Sequence, residues 1–513
     1  MRLWSLAWRL GKVLWTSRLL KLSPQQLVLI LQAWRTCGSS FAFLGAVAAI
    51  RFGSHLALQD EEGCLSFEQQ WEQTQNWALF LQRQFDVRPG SQVAILCRNQ
   101  RSFVLSLLAV TRLGGDVLPL GPDTPGPVLA KILKRQDISL VVHDSELTGL
   151  IEKWAPNLNH QVFTKAFPET TGGFTPVSRP GQLITLTSGS TGVAKGIRRR
   201  PTLGQVLPAM LGLLEALPFQ LHRPFLLAIP LYHGYGVATL AVSLALGAPV
   251  HLARRYEISP LLSRSRSRQD GVLVTVPTLL LRWLKESVGT SECELTAIIT
   301  GSAPLSAELS EAVIDRVGPI LFNLYGSSEA GLISLAAPES LIAAPGTVGR
   351  PLPGNRIRIL NSSDEAVEVG EVGRISVGGP LVLGGDEEGW RETGDLGRQD
   401  GYGNLHVCGR ADTMLICGGE NVFPHEVEAE LRSHAEVIDS AILVVDDEEF
   451  SKRMLAAVVL ETGSALTPIE LKRWLRERME RHKIPKEVYL VKTIPQNALG
   501  KIDRVALAKL FSS

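Results

Sequence analysis

Four segments of the chain hold residue types suited to phosphate and acyl chemistry. The first, TLTSGSTGVAKG at residues 185–196, is dense in hydroxyls and glycine and carries one lysine, Lys195. Glycines let a backbone turn and approach a ligand, while Ser and Thr hydroxyls and free N–H groups bind phosphate oxygens. Gly189, Gly192 and Lys195 lack the GxxxxGK[ST] spacing of a Walker A loop. Gly and Ser alone would equally suit a flexible turn; the whole pattern with Lys195 is more specific. The second segment, NLYGSSEAG at 323–331, sets Tyr325, Ser328 and Glu329 close together, and GSAPL at 301–305 lies upstream. The third, at 391–428, holds Asp395 in TGD, Arg410 in GR and the glycine pair of CGGEN. A carboxylate is suited to gripping two adjacent hydroxyls. The fourth, PQNALGKIDR at 495–504, holds Lys501. Taken singly, each has a plainer reading: a cap or turn at Tyr-Gly and Ser-Glu, a turn at Asp395, a surface charge at Arg410, a solvated lysine at 501.

The elements that position these segments alternate. SQVAILC (91–97) and DVLPL (116–120) read as strands with a helix over 103–113 between them. ISLVVHD (138–144), FLLAIPL (225–231), GVLVTVP (271–277) and LTAIIT (295–300) are further apolar β runs. Buried runs alternating with helices indicate an α/β fold with mainly parallel sheets. From about Gly346 short alternating segments (NRIRIL, GRISVGG, NLHVCGR) predict a small antiparallel β region. A compact α+β tail then follows, with strands AILVVDD, LAAVVL and EVYLV. The expected organisation is an extension over 1–55, a large α/β domain over 56–409 and a small mobile α+β domain over 410–513, with the boundary at 409–412.

A chain of 513 residues is long enough for two or three domains. With 45% hydrophobic and 20% charged residues it has globular composition, and a net charge of +1 gives no global field for nucleic acid. Six cysteines stand apart with no CxxC pair and read as reduced thiols, which sets the expectation of a cytoplasmic chain. The first 59 residues differ: they hold seven Lys or Arg and no Asp or Glu. On a helix Trp4, Trp8 and Trp15 would fall within roughly 40° of one another, although Arg18 interrupts that face. A basic, Trp-bearing helix can lie in a membrane interface, so peripheral membrane contact through 1–55 stands beside a plainer reading, a helical extension packed on the body. The longest uncharged stretch there, residues 36–50, is 15 residues, short of the roughly 20 a spanning helix needs.

Together the four segments resemble the adenylate-forming superfamily of acyl-CoA synthetases, luciferases and peptide-synthetase adenylation domains. The likeness covers residues 56–510, nearly the whole body. It implies that Thr187, Ser188, Gly189, Ser190, Thr191, Gly192 and Lys195 form the phosphate loop, with Ala194 where the superfamily commonly has proline. It implies that Gly301, Ser302, Ala303, Tyr325, Gly326 and Ser328 wall the adenine slot, and that Glu329 holds Mg²⁺. Asp395 would take the ribose hydroxyls, Arg410 would contact the nucleotide, and Asp412 would be the hinge. Gly418 and Gly419 would border the pantetheine arm of CoA, and Lys501 would bridge the acid's carboxylate and the α-phosphate. The implied cofactors are ATP, Mg²⁺ and CoA.

The same resemblance implies two steps at one site. Attack of a carboxylate on the α-phosphate gives an acyl-adenylate, and a thiol then displaces AMP while the small domain swings and withdraws Lys501. Residues 230–247, PLYHGYGVATLAVSLALG, are similar to the segment lining the acyl pocket, which places His233, Gly236, Val237 and Gly301 there. His233 either borders the carboxylate or is a core histidine. The segment holds no acid that could bind an amino group, so it suits a hydrocarbon acid. The expectation is a medium- or long-chain fatty acyl-CoA synthetase. An acyl-AMP ligase loading an acyl carrier protein is the first alternative, and a nucleotide-binding protein without catalysis is the second.

Overall fold

The computed structural model describes residues 22–164, 174, 176–187, 195–199, 203–217, 221–264, 271–285, 295–327, 329–411, 415–417, 420–447, 451–479, 481–496 and 502–511. Among these residues, the apolar runs form two large sheets. The first has six strands in the order Asn159–Val162, Leu140–His143, Gln92–Leu96, Asp116–Pro119, Leu183–Thr187 and Lys195–Arg199. All its neighbours pair parallel except the last pair, which is an antiparallel hairpin. Val93 and Ile95 face a central core, while Ala94 and Leu96 face an outer one covered by the helices Gly126–Arg135 and Thr148–Trp154. Cover on both faces is why the strands read as unbroken apolar runs.

The second sheet has nine strands, ordered Arg350–Pro351, Gly331–Ala336, Leu321–Ser327, Leu295–Gly301, Gly271–Thr275, Phe225–Leu227, Val250–Leu252, Leu56–Asp60 and Gly63–Ser66. Its middle is parallel and its ends are antiparallel. Val272, Val274 and Ile299 join the same central core as Val93 and Ile95. Leu273, Ile298 and Leu321 face the outer helices Pro277–Lys285 and Ala307–Val317. Between the two sheets lie the helices Phe67–Phe85, Arg101–Arg112 and Gly234–Leu246, which supply Trp77, Leu107 and Leu240 to that shared core. Every residue of Arg101–Arg112 is buried, as expected of a helix packed on all sides. Of its terminal arginines, Arg101 is neutralised by buried Asp60, and Arg112 donates from Nη1 to the Thr36 carbonyl at 2.8 Å.

One buried side chain joins the two sheets beyond the carboxyl ends of two parallel strands. Asn99 donates from Nδ2 to the Ile229 carbonyl at 2.5 Å and accepts from the Leu231 N–H at 2.8 Å. It thereby ties the loop after Gln92–Leu96 to the loop after Phe225–Leu227.

The helices Pro24–Cys37 and Phe41–Phe52 precede the body, and Ala48 and Phe52 enter the central core. The predicted face of Trp4, Trp8 and Trp15 lies outside the described residues. No described helix is long and apolar enough to cross a membrane.

The antiparallel region is a four-stranded sheet of Arg356–Leu360, Gly373–Gly378, Trp390–Gln399 and Leu405–Arg410. Beyond it come a short hairpin, Leu415–Cys417 with Glu420–Val422, and a sheet of Val437–Asp447, Ser451–Leu460 and Glu487–Leu490. The helices Pro424–Ser433 and Pro468–Arg476 pack on that last sheet around Val427, Leu431, Ile442, Ala456 and Leu471. Lys285, at the end of its helix on the second sheet, reaches this tail. Its ammonium donates to the carbonyls of Arg432 (3.0 Å), His434 (3.2 Å) and Val437 (2.9 Å).

Candidate active site

Open α/β sheets bind ligands at the carboxyl ends of their parallel strands, and the sequence motifs fall there. Leu295–Gly301 and Leu321–Ser327 run parallel with Gly301 beside Leu324. A Cβ on Gly301 would lie 2.6 Å from the Leu324 carbonyl oxygen, so only glycine allows this approach. The chain leaves the sheet through Ser302 in the left-handed region, φ +66°, and Ser302 and Ala303 are exposed there. That turn follows the strand that pairs with Tyr325's own.

Tyr325 sits at an irregularity in the pairing of Leu321–Ser327 with Gly331–Ala336. Such bulges re-aim a side chain. The Tyr325 phenol donates to Asp395 Oδ2 at 2.6 Å. Burial, followed by the charge of Asp395, pushes the phenol well above its ordinary pKa, so it remains a donor. Asp395 lies inside the strand Trp390–Gln399, directly across from Arg410 on Leu405–Arg410. The plainer reading of Asp395 as a turn residue is therefore replaced by a strand residue with a cross-strand partner. Arg410 Nη1 lies 3.3 Å from Asp395 Oδ1 and 3.0 Å from the Thr393 carbonyl oxygen. Its guanidinium covers Gly394, φ +79°, where a Cβ would stand 2.8 Å from Nη2. The Asp395 side chain is 14% exposed and that of Arg410 52%, so the carboxylate is held from within while the guanidinium faces solvent.

Glu329 is half-buried in the turn between Leu321–Ser327 and Gly331–Ala336. The turn is fixed by Ser327 Oγ, which accepts from the Ala330 N–H at 3.0 Å, and by the Glu329 carbonyl, which accepts from the Leu383 N–H at 3.0 Å. A carboxylate is the hard oxygen ligand that Mg²⁺ takes. Gly326 permits close return of the chain, since a Cβ there would lie 2.5 Å from the Gly331 carbonyl oxygen.

Thr187 and Lys195 are paired residues at the open end of the hairpin Leu183–Thr187 and Lys195–Arg199. The segment 188–194 that joins them, with Ser188, Gly189, Ser190, Thr191 and Gly192, lies outside the described residues. So do Ser328, Asp412, Gly418, Gly419 and Lys501.

In the segment expected to line the acyl pocket, His233 is the N-cap residue of Gly234–Leu246 and its ring packs 4.5 Å from that of Tyr232. Gly236 lies where a Cβ would come 2.3 Å from the Pro230 carbonyl oxygen, which seats the helix on the preceding loop. Val237 is buried in the central core. Two residues that sequence reasoning passed over hold this wall. Asn99 fixes the loop at Ile229 and Leu231. Tyr235, in the first turn of the helix, donates to the Ile299 carbonyl at 3.1 Å, two residues before Gly301. A phenol in an otherwise apolar helix was the only signal, since a buried tyrosine hydroxyl takes a partner. Asn99 offered none.

Residues 46–385 match the AMP-binding enzyme family, and residues 426–501 match the AMP-binding enzyme C-terminal domain. The chain is 29% identical to 2-succinylbenzoate–CoA ligase of Geobacillus kaustophilus (strain HTA426) over 474 residues, covering 89% of this chain and 95% of that one. It is 29% identical to feruloyl-CoA synthase of an Amycolatopsis species over 451 residues, covering 83% and 90%. The structure of o-succinylbenzoate CoA synthetase from Bacillus subtilis in complex with ATP and magnesium superposes with a TM-score of 0.78 at 26% identity, covering 91% and 99%. The chain therefore belongs to the AMP-binding enzyme family of adenylate-forming acid–CoA ligases, which use ATP, Mg²⁺ and CoA.

Proposed function

We propose that this ligase activates an apolar carboxylic acid, a medium- or long-chain fatty acid, as the acyl-adenylate and passes it to CoA. What supports the reading of the acid is the helix Gly234–Leu246, the acid-side wall by resemblance, which has no acidic or basic side chain. Such a wall matches a hydrocarbon tail and offers nothing to a second carboxylate or an amino group. A second reading, an aryl acid, draws on the relatives named for 2-succinylbenzoate and ferulate.

The chain's own residues divide the work. Asp395 takes the ribose hydroxyls, oriented by the Tyr325 phenol on one oxygen and Arg410 on the other. The turn at Gly301, Ser302 and Ala303 and the ring of Tyr325 flank the base. A carboxylate approaching a phosphate brings two anions together, so cations and N–H donors must neutralise them. Lys501, Lys195 and the hydroxyls of 187–191 supply that charge and those donors, and Glu329 would hold a Mg²⁺ that would supply further positive charge. Asp412 is the hinge that withdraws Lys501, and Gly418 and Gly419 border the incoming thiol.

The test is ATP-, Mg²⁺- and acid-dependent pyrophosphate release across acetate to oleate with ferulate and 2-succinylbenzoate included, with and without CoA. Fatty-acid-dependent release with acyl-CoA appearing only with CoA supports the reading. A preference of about tenfold or more in kcat/KM for an aryl acid transfers it to the second. Adenylate that is never passed to CoA points to a carrier protein as acceptor.

A further inference from the structure

We infer that the helix Pro24–Cys37 docks this enzyme on an anionic lipid surface. The helix displays Leu27 (49% exposed), Val28 (54%), Leu29 (47%), Leu31 (63%) and Trp34 (49%). Leu27, Leu31 and Trp34 fall within about 60° of one another on a helix, with Val28 beside them. These four apolar side chains on one 14-residue helix form a contiguous patch of the kind that marks a contact site, while Leu29 lies about 100° or more away around the helix.

The patch is built rather than frayed. Ser23 and Gln26 form a capping box at the helix N-terminus. Gln26 Nε2 donates to the Ile50 carbonyl at 3.2 Å, and Arg112 donates to the Thr36 carbonyl at the other end. Ala33 and Cys37 bury the opposite side. Trp34 packs edge-on against Phe43 at 5.1 Å, which holds the indole at the rim of the patch. The apolar side chains are thus presented outward by a helix fixed at both ends.

Charge identifies what covers them. The first 59 residues carry seven basic and no acidic residues, while the rest of the chain holds 45 of the 52 basic residues and all 51 acidic ones. Five of those seven, Arg2, Arg9, Lys12, Arg18 and Lys21, lie in the segment entering this helix, and Arg35 lies within it. A second copy, or segment 1–21 folded back on the patch, would bring basic charge to basic charge. An anionic bilayer neutralises it while its acyl region takes the apolar face. A 14-residue helix is about 21 Å long, so it lies in the interface and does not span. This inference does not depend on which acid the enzyme ligates.

The experiment is sedimentation of the full chain with vesicles of phosphatidylcholine alone and of phosphatidylcholine with one third phosphatidylglycerol. Binding to the anionic vesicles that weakens with added salt is expected. The triple variant Leu27→Ser, Leu31→Ser, Trp34→Ser should lose about tenfold or more of that binding while its pyrophosphate release in lipid-free buffer is unchanged. Deleting residues 1–21 should abolish the preference for the anionic vesicles. Failure to bind either vesicle overturns the inference, as does equal binding by the triple variant. So does a dimer in gel filtration that the triple variant converts to monomer, or vesicle binding that appears only after residues 1–21 are removed.

Discussion

The Tyr325 phenol donates to Asp395 at 2.6 Å, and Arg410 meets the other oxygen of the same carboxylate at 3.3 Å. The three come from three different strands, and each alone has an ordinary structural role. Removing the phenol leaves a carboxylate that is 14% exposed with one fewer donor. A hydrogen bond to a charged group contributes about 1.5–3 kcal/mol. Tyr325→Phe should therefore raise the KM for ATP by about tenfold or more, with a smaller change in kcat. Asp395→Ala should remove ATP-dependent pyrophosphate release almost entirely. Both are read from steady-state kinetics at varied ATP, and a Tyr325→Phe enzyme with unchanged ATP KM would mean that the bond does not organise the nucleotide site.

Lys501 carries the assignment of separate half-reactions. Lys501→Ala should slow adenylation by roughly 10²-fold or more, as when a preorganised charge is lost from a transition state. Acyl transfer to CoA from supplied acyl-adenylate should survive, because the lysine is expected to have left the site by then. Single-turnover assays of each half separate the two, and equal loss in both would remove the hinge-and-swing account.

Lys285 links the helix Pro277–Lys285 to the carbonyl end of Pro424–Ser433, the end where a helix dipole favours a cation. Three carbonyls use all three ammonium donors. Burial lowers the lysine's pKa from its ordinary value. In the proposed swing of the tail, a contact between it and the large body exists in only one orientation. Lys285→Met should therefore change the two half-reactions unequally, by about threefold to tenfold, matching a net hydrogen-bond contribution of about 1 kcal/mol. Stopped-flow measurement of each half-reaction reads this, and identical rates in both would show that the contact does not discriminate between orientations.

Much of this was legible in the chain, for physical reasons. Strands such as Gln92–Leu96 and Leu140–His143 are apolar because both faces of a parallel sheet are covered, and that pattern survives without tertiary information. The four-stranded region was visible from alternation and glycine. Tyr325 and Asp395 were visible as motif residues, but not as partners, because the 70 residues between them give no register. The partners of Asn99 and Tyr235 were hidden for the same reason: each bonds a backbone carbonyl on a distant element, and any residue type can supply a carbonyl. Lys285 carried no signal, since its three acceptors lie about 150 residues away. The acid was the least legible part, since an apolar wall excludes charge without measuring length.

His251 gives the fold a pH dependence of its own. It lies on Val250–Leu252, 5% exposed, and its Nδ1 has no hydrogen-bond partner among the described residues. Burial pushes its pKa down to about 4 from the usual 6.5. The unfolded chain therefore takes up a proton on this ring as pH falls through about 6.5 while the folded chain does not. Stability is lost progressively over that window and levels off below about pH 4, where both states are protonated. By pH 5 the loss from this ring amounts to about 2 kcal/mol. His251→Leu removes the titration, so its urea midpoint should fall less than the wild type's between about pH 7 and pH 5, whatever the packing change does to its midpoint at neutral pH. Comparing the two proteins cancels every titration they share. Two midpoint curves that stay parallel across that window would show that the ring is protonated as easily inside the fold as outside it, and that the strand tolerates its charge.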